Sequence, residues 1–324
     1  MDSLVPKDRE NVTLEVDGHP VRLTHLRKPF WPGLGITKGD LLRYYERMAP
    51  WLLPHLRDRP MVMKRYPHGW EGKFIFKKRT PAHAPDWIRT CRVEHRSGNV
   101  IDFPLIQDLA SLLWVVNLGC IDLNPWYSRC DDVHRPDYLH FDLDPVPGAG
   151  FDTVARVALR MRELLEALGM PVYAKTSGSR GIHLYVPIVR GPVQKEVWSF
   201  AKAFALEVER RHPRIATAVW EVAARPKGRV LVDYNQNRWG STLASVYSVR
   251  PRPRATVSAP VSWEELEAGA RIEDFTIFNV PGRVERLGDR WAPPVDGARF
   301  DLAPLLGRQE SPVLEVPAST GRAP

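Results

Sequence analysis

Cysteine is scarce in this chain, with three among 324 residues and no Cys-x-x-Cys pair. A disulfide framework is therefore not expected, and the reading is of a protein from the reducing cytoplasm. Cys91 with His95, and Cys130 with His134, share an i, i+4 spacing that a zinc site could use. Such spacings are common, and partly buried thiols beside surface histidines are the preferred reading. Long apolar runs are missing as well. None approaches membrane-spanning length, and Met1 to Asn11 is charged and lacks an apolar core, so neither a membrane span nor a signal peptide is expected. Also absent is the Lys-x-Asp-Gly nucleophile of an ATP-dependent ligase, because Glu15 and Val16 stand before Asp17-Gly18. Any strand sealing would come from another polypeptide or a removed domain.

What is present leans basic. Forty-six Lys and Arg against 38 Asp and Glu leave a formal charge of +8, beside eleven Trp and eleven Phe. Cations neutralise phosphates and aromatic rings stack on bases, so the composition suits a nucleic-acid partner, although basicity alone is a generic signal. An apolar fraction of 44% suffices for a sizeable core, and no internal repeat is visible. Apolar spacing predicts helices over Thr37 to Met48, Pro104 to Leu118, Asp152 to Leu168 and Lys195 to Arg211. Strand patterns interleave with them, which implies an α/β (α+β) fold built on a mixed sheet. Arg250 to Pro260, rich in Pro and Arg, reads as extended, and the composition after Ala303 reads as a flexible tail.

Three stretches carry chemistry together: His140-Phe141-Asp142-Leu143-Asp144-Pro145, Lys175 to His183, and Val230-Leu231-Val232-Asp233-Tyr234. Alternating strand residues share a face, so Asp142 and Asp144 present two carboxylates side by side. Like charges so placed are costly unless a cation neutralises them. Pro145 and Pro147 end the strand at that point. In the second stretch, two strand patterns flank a Ser/Gly/Arg turn. Gly178 and Gly181 permit positive φ and turn N–H groups toward an anion, while Lys175, Ser177, Arg180 and His183 add side-chain donors, the composition of a triphosphate cradle. Asp233 closes another β-branched run and supplies a third acidic ligand of the kind a two-metal site needs. Each signal is modest alone; their order is much more specific.

With Lys64-Arg65-Tyr66-Pro67, Gly72 to Lys78, Asn124-Pro125-Trp126-Tyr127-Ser128-Arg129 and Tyr247-Ser248-Val249-Arg250-Pro251, these stretches make the chain resemble the polymerase domain of bacterial DNA ligase D, in the archaeo-eukaryotic primase superfamily. The resemblance runs from about Leu23 to Trp291. It implies a primase-like mixed sheet with the catalytic carboxylates on an open face, flanked by helices and an N-terminal subdomain. The polymerase domain would span residues 1–303, with about 1–100 contacting DNA, about 101–303 catalytic, and 304–324 a tail. Asp142, Asp144 and Asp233 match metal ligands for two Mn²⁺ or Mg²⁺ ions. Ser177 and His183 match the holders of the incoming nucleoside triphosphate, and Arg250 matches a cation of that pocket. Lys28 and Lys38 match a pair gripping a 5′-phosphate at a gap or break. Phe76 matches a ring that stacks on the template, with Lys78 following it.

The resemblance further implies nucleotide addition at DNA gaps and ends during non-homologous end joining, ribonucleotides preferred, with Ku and a DNA ligase as partners and a nucleoid-associated, cytoplasmic location. Two features depart from the pattern. Asn124 stands where many relatives have a histidine near the nucleotide sugar, and it hydrogen-bonds without carrying charge. Ile75-Phe76 and Asn235-Gln236-Asn237 replace an aromatic pair and a loop cation. A primase or damage-tolerance enzyme using the same metals, and a DNA-end-bridging module with weak catalysis, are the alternatives. The acidic triad argues against the latter, and Lys28 and Lys38 against the former.

Overall fold

Alternation builds the central sheet. In β12 (Tyr138–Pro145) the side chains of Leu139, Phe141 and Leu143 are fully buried, with Phe141 packed on Phe204, while His140, Asp142 and Asp144 take the opposite face. The computed structural model describes residues 3–95 and 97–306 of the chain. Its N-terminal part comprises β1 (Val12–Val16), β2 (His19–Leu23), β3 (Pro29–Trp31), β4 (Ile36–Thr37), α1 (Lys38–Leu56), β5 (Met61–Arg65), β6 (Ile75–Lys77), β7 (Thr90–Glu94) and β8 (Val100–Pro104). There follow α2 (Leu109–Asn117), β9 (Cys120–Pro125), β10 (Ser128–Arg129) and β11 (Asp132–Pro136). After β12 come α3 (Phe151–Ala167), β13 (Tyr173–Thr176), β14 (Ile182–Pro187), α4 (Gln194–Arg211), β15 (Ala216–Thr217) and β16 (Val230–Asp233), with short helices beyond.

The main sheet has the order β13-β14-β12-β16-β15, antiparallel except for the parallel β15–β16 edge, and α3 and α4 pack on it. A second sheet, β6-β5-β9, joins residues from both sides of position 100, so it straddles the expected boundary between the two parts. The mixed sheet flanked by helices is the expected fold.

Helix ends follow local chemistry. Thr37 caps α1, accepting from the Asp40 backbone N–H while the Asp40 carboxylate accepts from that of Thr37. The helix passes Pro50 and Pro54 to Leu56, two turns beyond the expected Met48, because Leu52, Leu53 and Leu56 bury their side chains there and offset the lost backbone bonds. The helix expected from Pro104 begins only at Leu109, where Asp108 and Ser111 form a capping box. Residues 250–255 turn back on themselves instead of running extended: the Arg250 N–H donates to Thr256 O at 2.7 Å, and Val249 bridges to Val257. Ala303–Leu306 forms a short helix, and the rest of the expected tail lies outside the described residues.

The cysteine reading is corrected. Cys91 on β7 and Cys130 after β10 form a disulfide with Cα atoms 5.7 Å apart, bridging residues 39 apart in sequence. Spacing along the chain carried no trace of it, because the pairing depends on how β7 and the β10–β11 hairpin meet around a small core of Val62, Val93, Phe103, Leu105 and Trp126. With both thiols bonded, no zinc site forms from them; His95 and His134 instead lie against the Trp239 ring, at 4.9 and 6.2 Å.

A buried ion pair ties the segment between α1 and β5 to the start of β12. Arg59 donates to both carboxylate oxygens of Asp137, at 2.7 and 2.6 Å, Arg129 adds a contact at 3.1 Å, and Arg59 and Asp137 are 2% and 1% exposed. Replacing Asp137 by Ala strands the guanidinium in the interior. The expected cost is about 3–5 kcal/mol, read as a lowered midpoint of urea unfolding, and a loss below about 1 kcal/mol would show that the pair is not structurally coupled in this way.

Candidate active site

The register of the main sheet sets four polar residues side by side. Lys175 on β13 lies opposite His183 on β14, His183 opposite Asp142 on β12, and Asp142 opposite Asp233 on β16. Directly opposed residues project from the same face, so the row crosses four strands on one surface. Asp144, two residues after Asp142, joins the same face at the strand end.

Electrostatics along the row are strained. Burial, reinforced by the charge of Asp233, pushes the Asp142 carboxyl up to about 7, and the charge of Asp142, followed by burial, pushes Asp144 up to about 7. Asp142 Oδ1 is buried without a hydrogen-bond partner, and His183 Nε2 stands 3.4 Å from it. Asp233 is better provided for: the Asn235 backbone N–H donates to its Oδ1 at 2.8 Å and Gln236 Nε2 to its Oδ2 at 3.0 Å. Three carboxylates on one face offer hard oxygen donors and unsatisfied negative charge, which suits a divalent cation of the Mg²⁺ or Mn²⁺ type. Among the described residues no group of three His, Cys, Asp or Glu side chains is placed so that it could hold a metal ion as it stands.

Lys175 departs from its expected role as a phosphate donor. It is fully buried, and burial holds its amine well below the ordinary lysine range; Nζ donates to Ser258 Oγ at 2.7 Å and to Ala244 O at 2.9 Å and shares a hydrogen bond with His183 Nδ1 at 2.6 Å. The other ring nitrogen of His183, Nε2, is the one that faces Asp142. Burial, then the nearby Lys175 charge, hold His183 well below the ordinary histidine range, so it is a neutral donor. His140, on the same face, is buried against Tyr127 and is held neutral by burial at about 3.

The turn between β13 and β14 is also rearranged relative to expectation. The backbone N–H groups of Ser179, Arg180 and Gly181 converge on Ser177 Oγ, at 3.1, 3.2 and 3.0 Å, instead of opening toward an anion. Ser177 thereby shapes the turn and keeps its own O–H as a donor. Two glycines allow the close fit. A Cβ on Gly181 would stand 2.0 Å from Leu143 O, and one on Gly178, whose φ is +64°, would stand 2.6 Å from Arg250 Cγ. Arg250 reaches this turn, donating to Ser177 O, while its Nε stands 3.6 Å from Asp122 Oδ2. Arg180 is exposed at the turn.

Other expected residues fall into separate places. Asn124, 9% exposed on β9, donates to Asp122 O at 3.2 Å. Phe76 is 59% exposed on β6 and forms a T-shaped pair with Phe74 at 5.2 Å, so the chain has two neighbouring aromatics after all, with Lys64 4.6 Å from the Phe74 ring. Lys78 is exposed just beyond. Lys28 and Lys38 line one cavity of about 280 Å³ together with Arg65. Burial, then Lys28, lower the Lys38 ammonium to about 8, and its Nζ donates to Thr24 O at 2.6 Å.

The structure adds residues that the sequence reading passed over. Asn237 bonds both the N–H and the C=O of His140, pinning the loop after Asp233 to β12. Asp122, 1% exposed, faces Arg250 and Lys64, and Arg65 completes the lysine cavity. An Asx-type run directly after a strand-terminal Asp was the only available signal for the first of these.

Comparison with known proteins places these features in a context. Residues 37–291 match the family model described as LigD, primase-polymerase domain. The chain is 31% identical over 275 residues to the multifunctional non-homologous end joining protein LigD of Mycolicibacterium smegmatis, covering 84% of this chain and 36% of that protein. It is 32% identical over 277 residues to LigD of Mycobacterium tuberculosis H37Rv, covering 83% and 36%. The chain thus spans about a third of the length of these curated relatives. Among solved structures, the polymerase domain of Mycobacterium tuberculosis ligase D in complex with DNA superimposes with a TM-score of 0.80 at 30% identity, covering 86% of this chain and 99% of that one.

The strained carboxylates lead to a pH test. Both Asp142 and Asp144 have folded-state values raised from 3.8 to about 7, so their contribution to stability is fully present below about 4 and is lost as pH rises through about 7. Without divalent cations, Asp142→Asn should therefore gain melting temperature over the parent as pH rises from about 5 to 8. Added Mn²⁺ at pH 8 should raise the parent's melting temperature and leave the variant's unchanged. Differential scanning fluorimetry reads both effects, and a difference between the two proteins that is flat with pH would contradict the assignment.

Proposed function

This chain belongs to the LigD primase-polymerase domain family, nucleotidyltransferases of the primase-polymerase type, and from that premise we propose that it adds nucleotides at DNA gaps and broken ends during non-homologous end joining. The observation that carries the reading is the in-register row Lys175, His183, Asp142 and Asp233 beside the Ser177 turn. On this reading the acidic ligands and the triphosphate donors share one face of the sheet.

Two divalent cations, Mn²⁺ or Mg²⁺, held by Asp142, Asp144 and Asp233, would neutralise the phosphates and lower the pKa of the primer 3′-hydroxyl. The protein's own residues do the rest by positioning. Ser177 donates its hydroxyl hydrogen and His183 its Nε2–H to the triphosphate, with Arg180 and Arg250 adding charge. Lys175, bonded to His183 Nδ1, orients the imidazole ring. Asn124 contacts the nucleotide sugar as a neutral hydrogen-bonding group, a reading compatible with a ribonucleotide preference through its 2′-hydroxyl. Phe76, with Phe74, stacks on the template, and Lys78 meets its backbone. Lys28 and Lys38 grip a 5′-phosphate, with Arg65 beside them. Ku and a DNA ligase are the proposed partners, and the nucleoid is the proposed place of work.

Extension of a gapped duplex with each nucleotide type and each metal tests the reading. Asp142→Ala and Asp233→Ala should each abolish extension while leaving gap binding intact, since phosphate contacts elsewhere remain. Near-normal extension by either variant would overturn the assigned centre.

The lysine cavity gives a second test. A gap carrying a 5′-phosphate should bind more tightly than its 5′-hydroxyl twin by about 1–3 kcal/mol at fixed low salt. Lys28→Ala with Lys38→Ala should erase the difference but spare an open primer-template. Because Lys38 loses its proton near pH 8, the preference should shrink as pH rises from about 7 to 9. Equal binding of the two gaps in fluorescence anisotropy would favour the primase alternative, which has no downstream phosphate to hold.

A further inference from the structure

The backbone leaving Asp233 runs through Asn235 and Asn237 into Arg238 and Trp239. These border a cavity of about 580 Å³ with His134, Gln194, Lys195 and Trp198. The nucleotidyl-transfer reading uses none of these side chains. Trp198 and Trp239 line the cavity, and a third indole, Trp220, stands outside it beside Arg238. Trp198 lies on α4, and Trp220, 55% exposed, stands nearby in the segment between β15 and β16. The Arg238 guanidinium sits between them, 5.7 Å from the Trp198 ring and 5.4 Å from the Trp220 ring, and the Lys202 ammonium lies 5.6 Å from Trp198. Arg238, Lys195 and Lys202 have no carboxylate partner among the described residues, and Glu94 is the one acidic residue among those lining the cavity.

Hydrogen-bonding capacity is also left unused there. Gln194 is 6% exposed; its Nε2 donates to Arg238 O at 3.3 Å, but its Oε1 has no partner. Leaving a buried acceptor unpaired is costly, and an N–H on a ligand would satisfy it. Indoles that already carry cations on their faces, cations free of carboxylate partners and a buried acceptor together suit a nucleobase with its phosphate.

We propose that this groove seats unpaired bases of single-stranded DNA on Trp198 and Trp220, with the strand's phosphates on Arg238, Lys195 and Lys202. The inference rests on the reading of DNA as substrate and names a further contact for it. A strand fits better than a free nucleotide, because two ring faces flank one guanidinium and the cations are spread over a loop and α4, which suits successive nucleotides. The groove is tied to the reaction centre. Trp198 Nε1 donates to Asn235 Oδ1 at 3.2 Å, and the Asn235 N–H donates to Asp233 Oδ1, so the strand held here would be one entering the active site.

The test uses the whole chain and a short oligothymidylate carrying 4-thiothymidine. Irradiation should place adducts on Trp198, Trp220 or Trp239, located by mass spectrometry. In anisotropy, Trp220→Ala and Arg238→Gln should each weaken oligothymidylate binding roughly 5- to 50-fold, the range expected for one lost stacking or cation contact. Both residues are solvent-facing, and binding of a fully paired duplex should change less than about twofold. Adducts confined to other surfaces, or unchanged oligothymidylate affinity in both variants, would overturn the proposal. So would displacement of the oligothymidylate from this groove by millimolar thymidine monophosphate, which would assign the groove to a mononucleotide. Extension of a gapped duplex by the same preparation separates the two readings. Extension without groove adducts refutes the groove alone, whereas groove adducts without extension refute the polymerase reading alone.

Discussion

Everything at the candidate centre depends on the register of β12 between its two neighbours. Because side chains alternate with a period of two, a one-residue slip of β14 or β16 would send His183 or Asp233 to the helix-covered face and leave Asp142 alone. The register is held from both faces. Leu139, Phe141 and Leu143 are locked beneath the sheet, and on the other side Asn237 clasps both backbone groups of His140. The cost of this order is electrostatic. Two carboxylates pushed toward neutrality by burial and by each other are a destabilising arrangement in an otherwise well-packed sheet. Such local conflict is characteristic of a functional site.

The row also explains why the surrounding charges are layered. Lys175 is the innermost member, spent on His183 and on two partners from the 244–258 segment. Arg250 is held between the Ser177 carbonyl and Asp122, so one cation touches the turn, the strand β9 and the sheet β6-β5-β9 together. On that second sheet Lys64 lies opposite both Phe76 and Asp122. A single buried carboxylate, Asp122, therefore relates the exposed aromatic pair to the Ser177 turn. Gly178 and Gly181 permit this convergence, since a methyl group at either would collide with a neighbouring strand or with Arg250.

The disulfide and the Arg59–Asp137 pair do comparable work farther out. Each joins segments distant in sequence, and neither touches the carboxylates. They border the aromatic cluster of Phe103, Trp126 and Trp239, which stands between the hairpins and the groove beside α4. A rigid frame on that side keeps the loop after Asp233 in place.

The sequence by itself determined the elements and the chemistry. Period-two and period-3.6 patterns located β12, β13, β14 and β16 and the four long helices, and Asp-x-Asp, the Ser/Gly/Arg turn and the strand-terminal Asp marked the candidate reactive residues, because local backbone preference and residue type are written in short windows. Only the tertiary structure decided what depends on distance between windows. It paired Cys91 with Cys130, buried Lys175 beneath His183, turned three N–H groups onto Ser177, and brought Asp122 to Arg250 and Arg65 to Lys28 and Lys38. In each case the same residue types would have been consistent with another partner, and strand register and packing chose among them.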